Sequence, residues 1–156
     1  MEFAGLPLHP LVVHAAVVLT PMAVVLVVAF AIRPRHRWLT RWPTAVITAG
    51  ALVSVWVARL SGDALTESRP ELEQLVRTHQ ERGELLSLLM VVFAVLTAAG
   101  VWFLGGPSVL VSGRGARASR AAVLDKVLPA VLVLAAVVVL VLVVLVGDSG
   151  SRAVWG

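Results

Sequence analysis

Histidines are the side chains in this sequence best suited to chemistry, and there are four: His9, His14, His36 and His79. Neutral imidazole is a metal ligand, and its ionisation lies near physiological pH. The first two fall in Leu8-His9-Pro10-Leu11-Val12-Val13-His14. A proline suits the first turn of a helix, where its missing N–H would have had no partner. That puts His9 at the cap and His14 about one turn inside. Five residues of helix turn the chain by roughly 140° beyond a full circle, so the two rings share a direction only if His9 lies outside the regular helix. A histidine within an apolar span is costly and normally faces a partner. His79 closes the series Leu72, Leu75, Val76, His79, which has helical spacing. Glu71, Glu73, Arg77 and Glu81 lie off that stripe, so His79 is expected to face the helices and its neighbours water.

Two imidazoles on different helices could ligate haem b iron axially, as facing helices of bundles do. His14 and His79 are the candidate pair, with His9 as alternate or supporting residue. An imidazole and carboxylate set, His14 and His79 with Asp63, could instead hold a divalent transition metal. The plainer alternative is that each ring bonds a backbone carbonyl. No C-x-x-C-H or H-E-x-x-H pattern decides between them. The absence of cysteine excludes disulfides, thiolate metal sites and thiol catalysis. Ser61, Ser68 and Ser149 lack a nucleophile-elbow context, and Gly113 to Arg117 lacks the lysine and spacing of a phosphate-binding loop. No nucleophile–base pair can be placed, which argues against an enzyme. Ser68 and Glu71 read as a capping box beside Pro70. Gly147 reads as the cap of the last helix, with Asp148 pairing Arg152 and Gly150 freeing the tail to fold back.

The elements that must position these residues are four apolar stretches. The 156 residues suffice for one domain, and 59% are apolar against 14% charged. Soluble domains run at roughly 45–50% and about 25%. A small globule cannot bury such an excess, so it must face lipid. Spans of about 20 apolar residues are needed, and they fall at about 10–32, 43–60, 84–104 and 126–146. The fold class is therefore all-α. It is an up-down transmembrane four-helix bundle, with a short amphipathic helix in the outer loop leading into the third span. Pro21 should kink the first span. None of the spans has an acid or base near its middle, which weighs against a pump, transporter or channel.

Orientation follows from the basic residues. Arg33, Arg35, Arg37 and Arg41 give the first loop a net charge of +4, and the third, with Arg114, Arg117, Arg120, Lys126 and Asp125, carries +3. The second, from Arg59 to Glu84, carries −2. The positive-inside rule places the first and third loops in the cytoplasm and both termini outside. Trp38, Trp42 and Trp102 then mark the inner interface, Trp56 and Trp155 the outer. Basic residues at the ends of apolar runs set topology, so nucleic acid is not an expected partner. Met1-Glu2-Phe3 lacks the positive start of a signal peptide, so the first helix is expected to be retained. His9, His14, His79, Asp63, Glu67 and Asp148 thus share one face. His36 alone sits among inner-loop arginines, beside lipid headgroups.

The residues Leu6-Pro7-Leu8-His9-Pro10, Val13-His14, Ser61-Gly62-Asp63 and Thr78-His79 to Gly83-Glu84 resemble the bacterial membrane proteins grouped as domain of unknown function 2231. The resemblance covers nearly the whole chain, the tail from Gly147 to Gly156 included. It implies a four-helix domain of the bacterial plasma membrane, in some relatives fused or adjacent to Rieske or cytochrome modules. By analogy that favours a haem- or metal-binding redox component with a membrane protein or redox partner. Asp148 stands where the resemblance leads one to expect a histidine. The alternative is a non-catalytic structural or interaction subunit of an envelope or respiratory complex, with self-association open.

Overall fold

A computed structural model describes residues 2–3 and 6–155, with side chains at 12–71, 73–153 and 155. Four helices dominate: α1 (Leu8–Ile32), α2 (Arg37–Ser68), α3 (Glu73–Phe103) and α4 (Leu124–Trp155). Two residues at Glu2–Phe3 pair antiparallel with Leu6–Pro7 ahead of α1. Single 3₁₀ turns at Pro34–His36 and Pro70–Leu72 join α1 to α2 and α2 to α3. All four helices are long and apolar enough to cross a membrane. Each packs against two others: α1 and α3 both lie against α2 and α4, a square up-down bundle.

The core is built at helical spacing. Ala23, Val27 and Phe30 of α1 meet Leu86, Met90 and Phe93 of α3 and Leu132, Ala136 and Val139 of α4 in one buried cluster. Gly100 lets the helices close there: a Cβ on it would lie 2.9 Å from a Leu132 methyl and 3.5 Å from the Phe30 ring. Small interface residues of this kind are how helices gain contact where lipid competes for apolar surface. Buried polar residues in the spans are also small, namely Thr20, Thr44, Thr48, Ser87 and Thr97. The opposite faces, with Val25, Val46, Val53, Val95 and Leu134, stay exposed as lipid-facing surfaces do.

Three expectations from sequence need correction. First, the helices outrun the apolar spans at the end that carries the termini. α2 continues to Ser68, α3 starts at Glu73 and α4 reaches Trp155. At 1.5 Å per residue, the extensions add roughly 12–16 Å. The amphipathic segment is thus the opening of α3, not a separate helix. Hydropathy marks where lipid begins, whereas a helix continues until its backbone bonding is broken. Second, Gly147 does not end α4, and no tail folds back; α4 runs through both Gly147 and Gly150. Third, Ser68 and Glu71 form no capping box. Ser68 Oγ donates to Leu65 O at 2.8 Å, so α2 claims it as its last residue. Arg69 takes the cap position of the next turn, without a side-chain cap bond. α1, for its part, remains one helix through Pro21.

Candidate functional site

At the terminal end, α3 is stitched to α4 through two consecutive carbonyls. His79 Nδ1 lies 3.0 Å from Val146 O, and Arg82 donates to Leu145 O at 2.9 Å. A carbonyl can only accept, so His79 Nδ1 carries the proton and the neutral ring keeps its acceptor at Nε2. The ring is half-buried, in a notch made by Gly150. A Cβ at that position would lie 3.0 Å from both His79 Cε1 and Nδ1. Buried Ser149 donates to the same carbonyls, at 2.9 and 3.0 Å. The stripe expected around His79 is only partly inward: Val76 is half-buried, but Leu75 is exposed. Leu72's side chain lies outside the described residues.

α2 is tied to α3 by Arg59 and Gln80. The Arg59 guanidinium donates to Ser87 Oγ at 3.0 Å and Glu84 Oε1 at 3.1 Å, and lies 3.8 Å from Asp63 Oδ2. It also rests 5.4 Å from the Trp56 ring centroid. Gln80 donates to Thr66 Oγ1 at 2.9 Å. Asp63 is therefore the partner of an arginine. His14 is exposed on α1, which stands across the square from α3. His9 lies in the first turn of α1, and its side chain is outside the described residues. Among the described residues, no three histidine or acidic side chains come together to hold a metal. The structure thus does not group His14, His79 and Asp63. Asp148 and Arg152 do pair, 3.1 Å apart on the exposed side of α4.

The opposite end has its own node, built on Arg37, which sequence reading assigned to topology alone. This residue is 5% exposed. Its guanidinium donates to Phe30 O at 3.0 Å, Ala31 O at 3.1 Å and Gly105 O at 2.6 Å. The first two belong to the last turn of α1, where carbonyls have no helical partner. Arg41 donates to Leu104 O and Arg117 to Trp102 O, both at 2.8 Å, serving the end of α3. Asp125 lies 4.0 Å from Arg37 and accepts from Ser119 Oγ, which in turn accepts from Gly105 N–H. Two cues in the sequence point here. A four-residue connection keeps Arg37 within reach of the end of α1, and Asp125 is the one acid among eight basic residues.

With two stitched ends joined by apolar helices, the whole chain can be compared with known families. The model of the family DUF2231, described as a predicted membrane protein, matches residues 5–156. The chain belongs to this family. Comparison with curated proteins and with solved structures gives no match. In this DUF2231 chain, His14 and His79 sit near the same end but on helices that are not neighbours. His79 is held by backbone, and His14 and His36 are exposed, the latter in the first connection.

Proposed function

We propose that this chain is a non-catalytic interaction subunit of a bacterial envelope or respiratory complex. It lies in the plasma membrane with both termini on the outer side. The observation that carries the reading is the commitment of His79: it bonds Val146 O and fills the Gly150 notch, so it joins helices. Asp63, the expected acidic ligand, is likewise an ion-pair partner of Arg59. The exposed valine and leucine faces suit lipid and a membrane partner or second copy. The orientation is supported by eight basic residues against one acid at the arginine end.

A dithionite-reduced minus oxidised spectrum of detergent-purified protein, with elemental analysis, tests the subunit reading. A colourless, metal-free, folded sample is expected. The orientation is tested by single cysteines, since the chain has none of its own. An impermeant thiol reagent on intact cells should label a cysteine at Glu73 and not one at Arg117; the reverse pattern inverts the topology.

A second reading keeps the histidine site as a haem or metal centre, and one observation favours it. Ligating histidines commonly donate their other N–H to a carbonyl, as His79 Nδ1 does here. Its Nε2 would be the ligand, with His14 or His9 supplying the second. A Soret band abolished in His79→Ala would establish this reading and displace the first.

A further inference from the structure

We propose that the arginine end holds the phosphodiester headgroup of an anionic phospholipid. A cavity of about 220 Å³ opens there, lined by Arg37, Trp38, Arg41, Trp42 and Arg117 between two glycines. Three arginines and no acidic residue line it, with the Arg37 guanidinium itself committed to backbone carbonyls and to Asp125. On two of its lining residues, Trp38 Nε1 and Arg41 Nε are buried donors with no hydrogen-bond partner among the described residues. An indole and a guanidinium only donate, so what completes them is an acceptor. A buried donor without one is destabilising. With Arg41 and Arg117 alongside and no lining acid to balance them, the acceptor is anionic, and the planar fork of arginine matches phosphate oxygens.

The wall is built for closeness. Gly115 adopts φ +87°, and a Cβ on it would stand 2.9 Å from Trp38 Cγ, so only glycine lets the loop lie flat on the indole. Gly106 lies directly against Pro34 O, where a Cβ could not fit. A headgroup is favoured over a free anion by the setting. The cavity lies at the end of four apolar helices, where Trp42 and Trp102 are 70% and 59% exposed. Tryptophan collects at the interface between headgroups and acyl chains, and basic pockets at helix ends take anionic headgroups.

The test is native mass spectrometry of the full chain released from neutral-detergent micelles, titrated with phosphatidylglycerol or phosphatidylcholine. Phosphatidylglycerol should bind about ten-fold more tightly. Arg41→Gln should weaken it about five-fold with phosphatidylcholine unchanged, the effect of one interfacial cation. Trp38→Phe, which keeps the ring's bulk and removes only the N–H, should weaken it by a smaller factor. That variant also carries the test if Arg41→Gln fails to give the wild-type circular dichroism. Equal binding of the two lipids, or phosphatidylglycerol binding unmoved in both variants, overturns the site. Displacement of the lipid by millimolar inorganic phosphate overturns the headgroup assignment in favour of a free anion.

Discussion

Side chains bond backbone carbonyls at both ends of the bundle, but the carbonyls differ in kind. At the arginine end, Arg37 serves Phe30 and Ala31, at the close of α1, and Arg41 and Arg117 serve Leu104 and Trp102, at the close of α3. Such terminal groups have no helical partner and must find one elsewhere. At the terminal end, His79 and Arg82 bond Val146 and Leu145, which lie inside α4. Those carbonyls already accept within α4, from the helix and from Ser149 Oγ, and take a further donor. The arginine end therefore meets an obligation of the backbone, while the terminal end adds an optional clasp. One end is built to be permanent, and the other can be loosened at modest cost.

Removing the permanent contact should have the largest effect. Arg37→Met keeps length and apolar contact but strips three carbonyls of a charged donor and leaves Asp125 without its cation. Breaking a buried charged network of this kind costs roughly 3–5 kcal/mol. Reversible unfolding in mixed micelles should show that loss, and Arg37→Lys should recover only part of it, because an ammonium cannot reproduce the fork. A loss in Arg37→Met below about 1 kcal/mol would place it with ordinary exposed ion pairs and erase the distinction between the ends.

The difference between the ends also explains what could be read from sequence. Four helices and their order follow from apolar runs of membrane length, and the family from His9-Pro10 to His14 with the later His79. Apolarity reports lipid, however, and not helix ends. It therefore missed the extensions of α2, α3 and α4, where polar residues such as Asp63, Glu73 and Arg152 continue the helix past the apolar run. Gly150 was misread for a related reason. A glycine just past an apolar run suggests a tail free to fold back, and only tertiary contact shows that it seats a ring from another helix. Arg37 was hidden because every arginine near an apolar run satisfies the topology rule equally well. Its burial depends on a connection short enough to bring it under α1.

The optional clasp should be worth less. His79→Ala removes one hydrogen bond and the packing of a half-buried ring, for an expected loss of about 1–2 kcal/mol. Gly150→Ala sharpens the point through its sign. In the native background a Cβ at 3.0 Å from the ring must displace His79, offsetting the gain from replacing glycine in a helix. In the His79→Ala background the obstacle is gone, and the same change should stabilise by roughly 0.5–1 kcal/mol. A double-mutant cycle over the four proteins measures this coupling. Destabilisation by Gly150→Ala in both backgrounds would show that the glycine answers to something other than the ring.

The smallest effect belongs to Asp148 and Arg152, an exposed pair one turn apart on α4. In isolation it should contribute no more than about 0.3–0.5 kcal/mol and should fade with added salt. Arg152→Ala measured in micelles is therefore expected to leave stability nearly unchanged. The same substitution gains meaning in the membrane, where the extended end of α4 would meet a partner subunit. If Arg152→Ala leaves the isolated chain intact but lowers its recovery with a co-purifying partner, the extensions form a docking surface. If recovery is also unchanged, docking must fall to the lipid-level faces, where Val25, Val95 and Leu134 lie exposed.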